Sequence, residues 1–384
     1  MSRLERRGGK SPLAGAVLVA LSLPNQEHSP ELMLEELSLL LGSLNVKVLG
    51  SSIQKRRAPD PALMVGQGKA EELALFCRSL GARYLVSNER LSPIQKSNLE
   101  EMVGVTVWDR PFVIMKIFER RAKTAEARLQ VELALTRYEL PHLKGLGLQM
   151  SRVGAGIGTR GPGETEFERH RRRLERRVRE ITKKLENVRR QRRLARDRRK
   201  KRGFPTVSLV GYTNSGKSTL LRTLSGDTSI VAEDRLFSTL DTAVRRITFP
   251  GGGGALFSDT VGFIRELPPG LLAAFRATLE EIREAELLLL ILDASDPDAL
   301  QTYDVIIETL AEINCREMPR LLALNKLDVA ASQEVAILAL RLRAMGETVV
   351  GISALRGDGL PMLLAQVQEV LTLQNPWYAR VLST

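Results

Sequence analysis

The chain has 384 residues, 43% hydrophobic and 27% charged, with a formal net charge of +12. That balance describes a soluble globular protein of two or three domains and excludes a disordered chain. Two distant cysteines, Cys77 and Cys315, and three scattered histidines exclude a disulfide framework and a zinc cluster, and fit a reducing cytosol.

Residues 1–12 form a basic tail in which Arg3, Arg6, Arg7 and Lys10 precede an apolar stretch from Leu13 to Leu23. The order is that of a secretory leader. The chain beyond Pro24 nevertheless continues in a βα rhythm that needs a first strand, and the stretch is read as that strand. Strands are expected at Ala16–Leu21, Val46–Leu49, Arg83–Val86 and Val105–Val107, with helices near Pro30–Leu41, Ala70–Leu80 and Pro93–Met102. Together they make a compact α/β subdomain over residues 13–110. A short loop within it, Gly66-Gln67-Gly68-Lys69, precedes a helix and can meet phosphate. No apolar run reaches the roughly 18 residues of a membrane span, so a cytoplasmic location is expected, with peripheral association at a membrane left open.

Residues 111–203 read as a helical hairpin. Phe112 to Leu140 is expected as one long helix with an apolar stripe of Ile117, Phe118, Ala122, Ala125, Leu129 and Leu133, ended by Pro141. Its mate is strongly basic: Arg169 to Arg202 holds 19 Lys or Arg and 4 Asp or Glu, a charge of +15 that leaves −3 for the remainder. Within it Leu174, Val178, Ile181, Leu185 and Val188 alternate four and three steps, the spacing of a coiled-coil seam. Solvated faces mix signs, so this excess points to a polyanion, with Arg172, Arg176, Arg179 and Arg190 as candidate RNA contacts.

Between the two helices lies "RVGAGIGTRGPGETE", residues 152–166, which satisfies G-x-G-x-x-G. No strand feeds it, because Pro141 to Leu148 is broken by a proline and two glycines, and a dinucleotide cradle needs that strand. The glycine-rich loop, placed at 152–163, is read as an RNA-contacting tip. Glycines such as Gly158 and Gly161 allow close approach, and Arg152 and Arg160 add phosphate-seeking charge. A plain hinge between helices is the alternative.

Residues 204–384 carry the chemistry. Strand Val207–Val210 runs into "GYTNSGKST", which matches G-x-x-x-x-G-K-[ST]. Backbone N–H groups of Gly211, Tyr212, Thr213, Asn214, Ser215, Gly216 and Thr219 can wrap phosphate oxygens, Lys217 can reach the β and γ phosphates, and the Ser218 hydroxyl can ligate Mg²⁺. Farther on, "ALFSDTVG" ends in Asp259-Thr260-Val261-Gly262, a carboxylate for the Mg²⁺ shell and a glycine N–H for the γ-phosphate. The buried run Leu287–Leu292 is another strand, and Leu321–Leu324 leads into Asn325-Lys326-Leu327-Asp328. Asp328 can accept two hydrogen bonds from guanine, while Asn325 and Lys326 hold the loop and cover the base. Val349 to Ile352 then enters Ser353-Ala354-Leu355, whose N–H groups can meet the guanine O6. A last helix is expected at Pro361–Leu373. Four such motifs at strand ends describe a doubly wound, mostly parallel α/β sheet with a guanine-nucleotide site. A P-loop kinase or ATPase would use Lys217 but leave Asn325 to Asp328 without a role.

The chain resembles the HflX family of ribosome-associated GTPases over nearly its whole length. The residues that carry the likeness are "LQVELAL" at 129–135, "GIGTRGPGETEFE" at 156–168, "VGYTNSGKSTL" and "LFSTLDT" at 236–242. The resemblance implies a P-loop GTPase that uses Mg²⁺. Phe237, Ser238, Thr239, Leu240 and Asp241 correspond to the switch segment, and Thr239 to the threonine that joins Ser218 on Mg²⁺ when the γ-phosphate is present. Lys217, Thr239 and Gly262 are then the catalytic set. The implied partners are GTP, GDP and the large ribosomal subunit with its RNA, the implied form a monomer, and the implied task the splitting or rescue of stalled ribosomes, notably under stress. Large-subunit assembly is the alternative.

Two departures stand out. Lys116 occupies a position where relatives often have an acid, and about 30 residues follow Leu355, where many members carry a further small domain. In addition, Phe263 stands where small G proteins place a water-orienting glutamine.

Overall fold

The computed structural model describes residues 14–24, 26, 29–122, 124–153, 162–200, 204–227, 243–260, 262–263 and 282–374. The basic tail, the glycine-rich loop with Gly158, Arg160 and Gly161, the segment containing Phe237 to Asp241, and Val261 lie outside them, as does the side chain of Arg152. The chain divides into two compact units, one of residues 1–117 and 135–179, the other of 118–134 and 180–384.

The first unit is built on β1 (Gly15–Ser22), α1 (Pro30–Ser43), β2 (Lys47–Lys55), α2 (Gln67–Ser79), β3 (Tyr84–Ser87), α3 (Pro93–Val103) and β4 (Thr106–Asp109). Its sheet runs in the order β2-β1-β3-β4, all parallel. The apolar stretch near the N-terminus is an inner strand of this sheet, buried on both faces, which is why it reads as a continuous hydrophobic run. Helix starts are set locally. Ser29 accepts the Leu32 N–H ahead of Pro30, and Ser92 and Gln95 close a reciprocal capping box. In the 66–69 loop, the Gly66 N–H is already bound to Gln54 and the Lys69 ammonium to Glu72.

A buried polar cluster ties the next helix, α4 (Arg110–Arg121), to this sheet. Arg110, 2% exposed, pairs with Glu36 of α1 at 3.2 Å and donates to the Asn88 side chain at 3.2 Å. Asp109 accepts from the Leu91 and Phe112 amides and from the Tyr138 hydroxyl.

The expected helix from Phe112 to Leu140 is two helices, and Pro141 does not end the second. α4 stops at Arg121, and α5 (Ala125–Val153) begins afresh with Pro141 inside it. The break has a local cause: the Thr124 hydroxyl accepts the Ala127 N–H as an N-cap, and Arg128 donates to the Ala122 carbonyl. Proline inside a helix removes one hydrogen bond and strains one turn, which a helix this long survives. α6 (Pro162–Lys200) starts with proline where no partner for an N–H is lost. Along its seam Ile181 and Leu185 are buried, with Leu174, Val178 and Val188 half-buried, while Arg172, Arg176, Arg179 and Arg190 are exposed.

The second unit contains β5 (Thr206–Gly211), α7 (Lys217–Ser225), β6 (Ala243–Thr248), β7 (Gly254–Asp259), β8 (Leu287–Asp293), α8 (Ala299–Glu312), β9 (Arg320–Asn325), α9 (Ser332–Ala344), β10 (Val349–Gly351) and α10 (Leu360–Gln374). The strand order is β10-β9-β8-β5-β7-β6, parallel except for β6, which pairs antiparallel with β7. One core cluster joins α7 and α10 to the sheet, and another joins α8 and α9. This is the doubly wound α/β fold, with β5 near its centre. Among the described residues no helix is long and apolar enough to cross a membrane.

Removing one partner of a buried ion pair strands the other charge. Glu36→Leu should therefore destabilise the first unit by about 3 kcal/mol, read as a lower urea midpoint for Trp108 emission in a Trp377→Phe background. An unchanged midpoint would show that the pair is dispensable.

Candidate functional site

The C-terminal ends of β5, β7, β9 and β10 bring the four motifs of the second unit together. After β5 the chain turns sharply: Asn214 and Gly216 take positive φ, 66° and 95°, and Gly216 caps α7. Both outer glycines of this turn are sterically required. A methyl group at Gly211 would run into the Ile291 carbonyl of β8, and one at Gly216 into the Asn325 carboxamide.

Lys217, the first residue of α7, is buried. Its ammonium donates to the carbonyls of Gly211 at 3.0 Å and Tyr212 at 2.6 Å. Desolvation lowers its pKa to about 8, against the opposing pull of Asp259. The Ser218 hydroxyl donates to Asp259 Oδ2 at 2.6 Å, joining the two expected members of a cation shell. Around them the hydroxyls of Thr213 and Ser215 are buried without a hydrogen-bond partner among the described residues. Buried polar atoms of that kind call for a ligand oxygen or water.

The D-x-x-G segment is bolted to the phosphate loop by backbone. Phe263 N–H donates to Gly211 O at 3.0 Å, Thr213 N–H to Phe263 O at 2.8 Å, and Thr260 Oγ1 to Leu209 O at 2.6 Å. Gly262 faces Thr213 and the lysine: an added Cβ would lie 2.8 Å from Thr213 Cα and 3.0 Å from Lys217 Nζ. Phe263 itself is buried, so its ring is a packing group.

At the other end, Asn325 links three loops. Its amide donates to Ser215 O at 2.8 Å and its carbonyl oxygen accepts the Ala354 N–H at 2.9 Å. Lys326, at φ 67°, is held by Asp293 of β8 at 2.6 Å. Asp328 accepts the Ser353 hydroxyl at 2.6 Å, and that bond keeps its carboxyl below the usual range. The Ala354 carbonyl accepts Thr223 of α7, while Leu355 is exposed.

The structure thus gathers Gly211 to Thr219, Asp259, Thr260, Gly262, Asn325, Lys326, Asp328 and Ser353 to Leu355 at one edge of one sheet. Asp293, which orients Lys326, escaped the sequence reading. Its only signal is an acid directly after the apolar run Leu287–Leu292. Among the described residues no group of three or more His, Cys, Asp or Glu could hold a metal ion; of the residues expected around a cation, Ser218 and Asp259 are described and Thr239 lies outside them.

Comparisons with known proteins agree along the chain. Residues 31–119 match a family described as GTP-binding GTPase N-terminal, residues 121–199 its middle region, and residues 206–326 a family described as 50S ribosome-binding GTPase. The chain is 41% identical to the GTPase HflX of Escherichia coli, covering 93% of this chain and 83% of that one. It is 44% identical to the GTPase HflX of Caldanaerobacter subterraneus, covering 82% and 72%. Among solved structures it is similar to SsGBP in complex with GDP, with 25% identity, a TM-score of 0.50, and coverage of 94% of this chain and 99% of that one.

An anion needs the charged form of Lys217, which is lost as pH rises through about 8. Triphosphate affinity should therefore fall above that pH, and binding near it should take up a proton as the ligand's charge restores the ammonium. Calorimetry in buffers of different ionisation enthalpy measures the uptake, and none at that pH would contradict the assignment.

Proposed function

The chain belongs to the HflX family of GTPases, and from that premise we propose that it is a GTP-driven switch that docks on the large ribosomal subunit and splits or rescues stalled ribosomes. One observation carries this reading: a guanine-nucleotide site with all its motifs shares a chain with a single helix, α6, that holds most of the cationic excess. A polyanion of large extent, such as ribosomal RNA, is what that helix suits.

In this reading the backbone of Gly211 to Thr219 cradles the phosphates, and Lys217 compensates the β and γ charges. Mg²⁺ bound with GTP would be held by Ser218, by Thr239 in the GTP state and, through water, by Asp259. When bound there, it would supply positive charge against that developing on the transferred phosphoryl group. Gly262 offers its N–H to the γ-phosphate, and the absence of a side chain there keeps Lys217 in place. Phe263 cannot orient water through its side chain, so turnover by the free protein is slow and rises on the ribosome. The switch segment around Thr239 engages GTP and disengages on hydrolysis. Arg152, Gly158, Arg160 and Gly161 of the glycine-rich loop serve RNA rather than the nucleotide. Arg172, Arg176, Arg179 and Arg190 meet phosphates along α6.

Base choice rests on Asp328. Asp328→Asn should weaken GTP and favour xanthosine triphosphate, whose altered edge suits an amide; GTP affinity equal to the parent's would remove Asp328 from that role.

Ribosome engagement is tested on sucrose gradients of purified ribosomes with protein and GTP. The parent should shift ribosomes into subunits, and reversing Arg172, Arg176, Arg179 and Arg190 to glutamate should abolish the shift and flatten the salt dependence of RNA binding while GTP affinity stays intact. Each lost phosphate contact should take roughly 0.7 to 0.9 from the slope of log affinity against log salt. Intact ribosomes with the parent protein would favour a role in subunit assembly.

A further inference from the structure

Aromatic residues make up 4% of the chain, yet four of them meet along one edge of the N-terminal sheet. Tyr84 of β3 and Trp108 of β4 stack with centroids 4.1 Å apart and planes 26° from parallel. Phe112 of α4 lies 5.6 Å from Trp108, and Tyr138 of α5 lies 5.5 Å from Phe112. β4 is the outer strand of its sheet. All four residues are half-buried, and none belongs to the closed apolar cluster that β1, β3 and β4 form with α2 and α3.

Cations attend the strip. The exposed Arg83 guanidinium lies 5.6 Å from the Tyr84 centroid, and the Lys96 ammonium 5.1 Å from Phe112 and 5.9 Å from Tyr138. Lys116 approaches Phe112 from α4 at 5.7 Å. Two carboxylates lie beside them: Asp109 is fully buried and committed to two backbone amides and the Tyr138 hydroxyl, and Glu100, half-buried near Tyr138, accepts the Val107 N–H. Of the two, Asp109 is the one shut away from solvent. It presents little negative charge outward. Half-exposed rings stacked in series and flanked by cations are the components with which proteins hold unpaired bases: the rings take the base face and the cations the adjacent phosphates.

We propose that the Tyr84–Trp108–Phe112 strip is a stacking platform for an unpaired RNA base, with Arg83 and Lys96 meeting the phosphates on either side of it. The proposal rests on the RNA partner assigned above but adds a different kind of recognition. The charges of α6 attract any nucleic acid backbone, whereas the strip distinguishes unstacked from paired RNA.

The full chain carrying Trp377→Phe leaves Trp108 as its one tryptophan and therefore as a reporter. It is titrated with a short single-stranded oligouridylate and with a blunt RNA duplex of equal length, and binding is followed in parallel by anisotropy of labelled RNA. The single strand should quench Trp108 and the duplex should not. Tyr84→Leu and, separately, Phe112→Leu should each lower single-strand affinity about tenfold, the size of one lost base stack, and leave duplex affinity unchanged. Reversal of the α6 arginines should weaken both RNAs together. Single-strand binding with Trp108 emission unmoved, or with full affinity in both leucine variants, overturns the platform and leaves the α6 reading standing. Absence of binding by either RNA overturns both.

Discussion

The second unit turns on one carboxamide. Asn325 is 2% exposed, and its two ends are committed in opposite directions, one to the Ser215 carbonyl and the other to the Ala354 amide. Aspartate would keep the shape but lose the donor; glutamine would keep both functions but overshoot by a methylene. The same group explains why Gly216 cannot carry a side chain. Because the amide is buried and satisfied at both ends, the phosphate loop, the end of β9 and the Ser353 loop have one mutual position. A ligand with polyphosphate at one end and a base at the other therefore meets a site whose length is fixed before it arrives.

Preorganisation extends to charge. Lys217 is held away from water with the carbonyls of Gly211 and Tyr212 as its acceptors. These are neutral stand-ins for phosphate oxygens, and Thr213 and Ser215 keep hydroxyls buried beside them. Desolvation of this kind is unfavourable in the empty protein and is offset when an anion enters, so the loop favours ligands dense in negative charge over neutral ones.

Much of this was legible in the sequence because it depends on short-range order. β5, β8 and β9 are buried on both faces and show as apolar runs, and each nucleotide motif follows its strand directly. The readings that failed depend on competition or distance. β6 is an edge strand with most of its residues only partly covered, so Arg245 and Arg246 hid it from a hydrophobic pattern. The break between α4 and α5 falls within an unbroken apolar stripe, and among the described residues it is marked only by the side-chain bonds of Thr124 and Arg128. Pro141 marks a helix end only when nothing downstream favours the helix. Ion pairs such as Glu36 with Arg110 and Asp293 with Lys326 join residues far apart in the chain, and no spacing rule announces them.

The concentration of positive charge on α6 also has a consequence for any approach to a polyanionic surface. With the rest of the chain near neutral, the protein has a strong electric asymmetry, and an isoelectric point of about 9.9 describes that one helix more than the whole. At physiological ionic strength the field of such a helix fades over about 8 Å, so it does not act at long range. Within that distance a polyanionic surface exerts a torque as well as a pull, turning the protein until α6 faces it. Most of the loss in association rate between proteins and specific surfaces comes from wrong orientations. A charge confined to one element reduces that search before any specific contact forms.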